Sequence, residues 1–260
     1  MKKQAILLTS HLINEFIISQ YDNLRKATAD DMDLYLLIES DEKVVCVPEH
    51  IKYFTFNVDT LNDLHYEPIA ENIVPGSNHF PVFQFYKANP LYDYYWNIEY
   101  DVYFNGEWNV LFDAFKLIDS DYISSHLERF NQSPNWMWWN SLQLKTIDIP
   151  KSQYIKSFNP IYRISNNALT DLDKILSAGN SGHHEVLMPT VLNYLGYKIN
   201  DWGGMGEFVL PDYENSFYLT SSDINNLYYA GSSMRFRPVF KLEELEQGLK
   251  DNLLYHPVKG

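Results

Sequence analysis

The chain has 260 residues, of which 45% are hydrophobic and 16% aromatic; that composition and length support a substantial core and exclude a disordered chain. The formal net charge is −14 and no Lys/Arg-rich run is present, which argues against docking on a nucleic-acid backbone. Cys46 is the single cysteine, so an intrachain disulfide and a Cys-rich metal site are excluded.

Two lysines precede QAILLTSH (4–11), an apolar run that reads as a buried strand and stops too early for a signal-peptide core. INEFIISQYDNLRKA (13–27) has apolar residues at helical spacing, and DLYLLIES (33–40) reads as a second buried strand. Strand, helix, strand in so short a span predicts a βαβ opening and a parallel sheet covered by helices. HFPVFQF (79–85) and YYWNIEYDVYF (94–104) read as further strands, and EWNVLFDAFKLI (107–118) as a helix. YIKSFNPIYRIS (154–165) reads as a strand, followed by helices at 167–179 and 184–196, each closed by a glycine. Pro189 suits the first turn of the second of these or a kink. KLEELEQGLK (241–250) predicts a late surface helix, and LLYHPVKG has no regular pattern. The class is α/β with a mostly parallel central sheet, in one domain. No stretch approaches the roughly 20 apolar residues of a membrane helix, so the expectation is a cytoplasmic protein, free to touch the inner face of a membrane.

Glu99 and Asp101 interrupt an apolar strand, where a carboxylate is costly unless it is paired. Residues i and i+2 of a strand share a face. The two carboxylates therefore offer hard oxygen ligands at one point, suited to Mg²⁺ or Mn²⁺ with phosphate oxygens completing the shell. An acidic protein that handles phosphate needs such a cation or a local basic cluster. Pairing with a buried arginine, or capping of a turn, accounts for the same two residues. Glu185, in SGHHEVLMPT (181–190), falls at a predicted helix start, where the helix dipole favours an ionised carboxylate able to accept a proton. A capping role for Ser181 or Glu185 is the plainer alternative. Arg235 and Arg237 alternate on one face if extended, able to bind a diphosphate or to pair with surface acids. Trp136, Trp138 and Trp139 form a dense aromatic patch, for sugar stacking or for the core. His256 and Lys259 offer a metal ligand and a point charge, or belong to a mobile terminus.

WNIEYDVYFNGEW (96–108), PNWMWW (134–139), SGHHEVLMPT and YHPVK (255–259) together resemble the GT-A glycosyltransferases, in particular a GT-A-like family with a segment of the form W-x-IEYDV-x-F-x-G-x-W. The resemblance runs from residue 4 to 259. It implies a single GT-A-like, Rossmann-like domain over residues 1–260 that moves a sugar from a nucleotide donor, a UDP-sugar by expectation, to a hydroxyl of a glycan or lipid-linked glycan. Synthesis of a surface glycan such as capsule or O-antigen would be its setting. It implies Mn²⁺ or Mg²⁺ held by Asp101, with Glu99 and His256. It also implies a donor site of Thr9, Ser10, His11, Glu99, Tyr100, Asp101, Arg235, Arg237 and Lys259, and an acceptor site of Trp138, Trp139 and His183. Glu185 is the implied base, with His184 beside it, and residues 201–204 fall where an acceptor wall would lie. The first acid is Glu where the common pattern has Asp, and the longer side chain could reach the ribose or a water in place of the metal. Two other functions fit the same residues: a non-catalytic carbohydrate-binding protein of this fold, and a metal-dependent phosphodiester hydrolase.

Overall fold

The computed structural model describes residues 2–28, 30–41, 45–221, 229–245 and 252–260. The βαβ opening is present as β1 (Gln4–Ser10), α1 (Glu15–Ala27) and β2 (Met32–Glu39), followed by β3 (Tyr53–Phe56) and the short α2 (Thr60–Asp63). Next come α3 (Phe80–Ala88), β4 (Tyr94–Glu99), β5 (Tyr103–Phe104), α4 (Trp108–Lys116) and β6 (Tyr122–Arg129). β7 (Ile155–Ser165), α5 (Asn166–Ser177), α6 (His184–Tyr194) and β8 (Ile199–Asp201) complete the main layers. β9 (Phe240–Lys241), α7 (Leu242–Leu245), β10 (Leu254–Tyr255) and β11 (Val258–Lys259) form the C-terminal segment.

Among the described residues, seven strands make one sheet in the order β3-β2-β1-β4-β7-β6-β8. Four pairings are parallel, and β7 alone runs antiparallel to its neighbours β4 and β6. The fold class is therefore α/β, with a mixed, mostly parallel sheet between helices. Along β1, Ala5 and Leu7 enter one core cluster while Ile6 and Leu8 enter another. The sheet is thus covered on both faces, as parallel strands require. After β1 the chain leaves towards β2 and β3, then returns to the other side of β1 as β4. The carboxyl ends of β1 and β4 flank this reversal, the position where open α/β sheets bind ligands.

Several expected elements differ. Residues 79–85 are not a strand: α3 occupies Phe80–Ala88, with Pro81 in its first turn, where its missing N–H costs nothing. Phe80, Val82, Phe83 and Phe85 are all buried, so the segment has no polar face whose spacing would reveal a helix. The strand expected over 94–104 ends at Glu99; Tyr100 and Asp101 turn before β5. Pro189 lies inside α6, not in its first turn. The late helix is seen only as Leu242–Leu245, since 246–250 fall outside the described residues. The tail is ordered: β10 pairs with β5 and β11 with β9, and Leu254 and Val258 are fully buried. Burial of two such side chains contributes about 1.5–3 kcal/mol each, which holds the segment against the body.

β7 is buried along its whole length although it carries Lys156, Ser157, Asn159 and Arg163. The terminal nitrogens of Arg163 are held by carbonyls at and after the end of α4, donating to Phe115 O (2.6 Å), Ile118 O (2.7 Å) and Ser120 O (3.1 Å). Among the described residues no helix is long and apolar enough to cross a membrane.

Candidate active site

The carboxyl ends of β1 and β4 open into a cavity of about 630 Å³. Its walls come from the two strand ends, the 73–78 loop, the 136–138 turn, the middle of β7, the start of α6 and the tail.

On the β4 side, Glu99 ends its strand beside Thr9, its register partner in β1. The following turn is pinned by Tyr100 N–H donating to Thr9 O (2.9 Å) and Val258 N–H donating to Asp101 O (2.8 Å). The tail thus delivers His256 and Lys259 to the acid pair. One ligand atom from each of Glu99, Asp101 and His256 lies within 4.8 Å of the others. His256 Nε2 is 3.4 Å from Asp101 Oδ1 and 3.9 Å from Glu99 Oε2. Its Nδ1 lies 2.8 Å from the carbonyl of Arg235, an acceptor only. Nδ1 therefore carries the proton, and the Nε2 lone pair faces the carboxylates in the neutral ring. Asp101 Oδ1 is a buried acceptor without a hydrogen-bond partner among the described residues. A buried acceptor left open between a carboxylate and an imidazole fits a cation, and oxygen plus imidazole donors suit Mn²⁺ or Mg²⁺. The acids meet through a strand end and a turn, not by alternation along one strand.

The charges support that reading. Burial and the adjacent Asp101 charge push Glu99 up to about 7. Burial would raise Asp101 as well, but the closeness of His256 and the positive charge of Lys259 hold it below its ordinary value. Burial would lower His256, and its contacts with Asp101 and Glu99 raise it instead. Lys259 Nζ reaches Tyr100 OH (2.7 Å) and Asp101 Oδ2 (3.4 Å). Asn78 donates to Glu99 Oε1 at 3.3 Å.

On the opposite wall, Glu185 sits in the first turn of α6. The cap of this helix is neither Ser181 nor Glu185: Glu185 N–H donates to His183 Nδ1 at 3.3 Å. The Glu185 carboxylate accepts from the backbone N–H of Asn159 (3.1 Å). Burial pushes it up to about 8, one hydrogen bond only partly opposing this. Burial also drives His183 down to about 3 and His184 well below its ordinary value, so both rings are neutral. Trp138 stacks on His183 with centroids 4.5 Å apart.

Thr9, Ser10, His11, Glu99, Tyr100, Asp101, Trp138, His183, His184, Glu185, Arg237, His256 and Lys259 all line the cavity. Two expected residues do not. Arg235 turns back on its own segment, donating to Pro238 O (2.6 Å) and Ala230 O (2.9 Å) and lying 3.5 Å over the Phe240 ring. Trp139 is core: its indole N–H donates to Ser133 O and its ring packs against Trp136 and Phe130. Residues 201–204 are also packing elements. Trp202 is fully buried against Trp96, and a Cβ on Gly203 would meet Ser216 O at 1.8 Å. Asn78, Asn97, Asn159 and Tyr229 line the cavity without having been expected there. Asn97 and Asn159 left a signal, each a polar residue inside a buried strand, the same signal that exposed Glu99.

No protein-family model matches the chain, and no curated protein sequence does. Solved structures with a similar course of chain do exist. One is a glycosyltransferase involved in the glycosylation of the major capsid of PBCV-1: 12% identity, 68% of this chain and 66% of that one, TM-score 0.33. This chain spans less than two thirds of that structure's length. A second is glucosyl-3-phosphoglycerate synthase from Mycobacterium tuberculosis, solved with Mg²⁺ and uridine diphosphate: 14% identity, 77% of this chain and 68% of that one, TM-score 0.44. A third is 4-diphosphocytidyl-2C-methyl-D-erythritol synthase from Anaerococcus prevotii: 10% identity, 80% of this chain and 90% of that one, TM-score 0.45. The chemistry of this cavity rests on its own residues.

Proposed function

We propose that residues 1–260 act as a single GT-A-like glycosyltransferase domain, moving a sugar from a nucleoside-diphosphate donor to an acceptor hydroxyl. One observation carries this reading. A cation-ready cluster of Glu99, Asp101 and His256 with Lys259 beside it shares one cavity with a separate, largely buried carboxylate, Glu185. Transfer needs those two functions together: charge compensation for a departing diphosphate, and a base for the incoming hydroxyl.

Glu99, Asp101 and His256 would hold Mn²⁺ or Mg²⁺, which when bound neutralises charge on the donor diphosphate. Lys259 adds positive charge beside Asp101, and Arg237 adds more on the cavity wall. Thr9, Ser10 and His11, at the end of β1, would meet the nucleoside; a UDP-sugar is the donor to try first. At the other end, Glu185 takes the proton of the acceptor hydroxyl. The acceptor oxygen forms its bond to the anomeric carbon, the bond from that carbon to the diphosphate oxygen breaks, and nucleoside diphosphate leaves. This sequence inverts the anomeric centre. Val74 and Met137 are 66% and 59% exposed at the lip of the cavity, and Ile73, Pro75 and Trp138 continue that apolar wall. It suits an acceptor with an apolar portion, such as a lipid-linked glycan in surface-polysaccharide assembly, met at the cytoplasmic face of a membrane.

The test is a panel of nucleoside diphosphates in calorimetry and thermal shift, with and without Mn²⁺. A ligand that binds only the folded state raises Tm, by an amount that grows with its concentration relative to Kd. A Tm rise that requires both Mn²⁺ and one nucleoside diphosphate is expected. No binding of any member, with or without metal, would overturn the reading and favour a carbohydrate-binding protein. Donor breakdown at the same rate with and without acceptor would favour a hydrolase.

A further inference from the structure

Asn159 lies in the middle of β7, 1% exposed, between the two carboxylate walls. Its amide orientation follows from its partners. Nδ2 is 3.5 Å from the backbone carbonyl of His184, which can only accept, so the NH₂ end faces α6. At the other end, Oδ1 takes hydroxyl contacts from Tyr122 (2.6 Å), Ser124 (2.7 Å) and Ser157 (2.6 Å). The same NH₂ group lies 3.3 Å from His184 Nδ1. A donor at that distance requires a lone pair on Nδ1, and a neutral imidazole with Nδ1 bare carries its proton on Nε2. Both ring nitrogens of the adjacent His79 are buried without a hydrogen-bond partner among the described residues. His184 lines the cavity, and no described residue hydrogen-bonds its Nε2.

We propose that Asn159 is a positioning residue that holds His184 in the Nε2–H tautomer, so that His184 donates a hydrogen bond to an oxygen of the bound substrate and cannot accept its proton. Proton acceptance is then left to Glu185, whose carboxylate is held by the backbone N–H of the same asparagine. One strand residue thus sets both neighbours: donor at 184, acceptor at 185. The role towards substrate rests on the glycosyltransferase reading, whereas the tautomer does not.

The experiment is ring ¹⁵N–¹H correlation NMR of the full chain with labelled histidine, at pH 7.5. His184→Phe removes one of eight histidine patterns and so assigns the signal. A neutral Nε2–H pattern at His184 is expected. An Nδ1–H pattern, or an imidazolium, would overturn the proposal on the wild-type spectrum alone. Asn159→Asp replaces the donor with an acceptor and should move the His184 proton to Nδ1. A folded Asp variant that keeps the Nε2–H pattern would show that Asn159 does not set the tautomer. The spectrum needs no nucleotide, so an Nε2–H signal in a protein that binds no nucleoside diphosphate supports the tautomer while refuting the glycosyltransferase.

Discussion

Asp101 and Glu185 are both largely buried carboxylates on the wall of one cavity, yet their surroundings push them in opposite directions. Asp101 stands at the tail wall, where His256 and Lys259 hold it below its ordinary value. Glu185 stands at the β7–α6 wall beside neutral rings, where burial outweighs the N–H of Asn159 and the charge of Lys156 and lifts it to about 8. A carboxylate beside cations stays ionised and can serve as a ligand. One that is desolvated sits near neutrality and can trade a proton. Burial alone therefore does not mark the role of these residues; the charge of the partners does.

The sharpest way to break this comparison is Glu185→Gln, which keeps size and most hydrogen bonding but cannot take a proton. Loss of a general base costs about 10² to 10⁴ in rate. Both kcat and kcat/KM should fall by that factor, with nucleoside diphosphate and Mn²⁺ binding unchanged. In the wild type the rate should rise with pH towards the Glu185 pKa of about 8, because the base must be ionised. Stability should move the other way. A carboxyl whose folded pKa lies above its unfolded value contributes most at low pH, and that contribution is lost as pH rises through the folded pKa. Between about pH 4.5 and 8 the wild type therefore loses stability that the Gln variant keeps, on the order of a few kcal/mol at the upper end. Melting curves at pH 5 and pH 8 check the sign. A variant that melts below wild type at pH 8 would mean that Glu185 is a structural tie.

Asp101→Asn should show the opposite signature. Binding of nucleoside diphosphate with Mn²⁺ should weaken by about 100-fold or more, as loss of a ligand exceeds the 10- to 100-fold typical of outer partners. Apo stability should fall, because His256 and Lys259 lose their shared counter-charge; hydrogen bonds to charged groups contribute about 1.5–3 kcal/mol. Unchanged binding in calorimetry would return Asp101 to the role of an ion-pair partner.

Lys259→Ala comes next in size. Its side chain is half exposed and bridges Tyr100 and Asp101 from the edge of the site. The melting temperature should hold within about a degree, while donor affinity drops about tenfold, one charge-assisted contact being worth roughly that much. Removing residues 255–260 is a poorer probe than the sequence suggests, because Tyr255 and Val258 are buried and paired. Truncation costs stability before it reports on the ligand.

What the sequence made legible follows the same physics. β1, β2, β4, α1, α4 and α5 carry clean periods, and the acids of the site stand out because they break them. α3 stayed hidden because its first six residues are apolar but for Gln84, and its exposed residues, Lys87 and Ala88, come only at its end. β6 stayed hidden because its centre, Ser124–Ser125–His126, is polar and yet buried, its hydroxyls bonded to Phe158 O and Asn159. The tail read as irregular because its order comes from pairing with β5 and β9, far away in the chain. Asn78 stayed hidden as a site residue because nothing in its neighbours announces a bond to Glu99, 21 residues on.

The smallest effect separates two arginines that the sequence treats alike. Arg237 lines the cavity, while Arg235 donates to Pro238 O and Ala230 O and rests on Phe240. Arg237→Ala should weaken nucleoside diphosphate binding only a few-fold, because an exposed cation acts through screened solvent. Its stability should match wild type. Arg235→Ala removes two backbone contacts and a cation–π contact worth about 0.5–1 kcal/mol at such a site, so Tm should fall by a few degrees with donor affinity intact. The contact with Phe240 also braces β9, the strand on which the tail pairs through β11, and Arg235 O is the carbonyl facing His256 Nδ1. That carbonyl belongs to the backbone and survives the substitution, so the cluster should keep its metal-dependent binding. Lost donor affinity in Arg235→Ala at unchanged Tm would place its guanidinium in the site and reverse the distinction between the two.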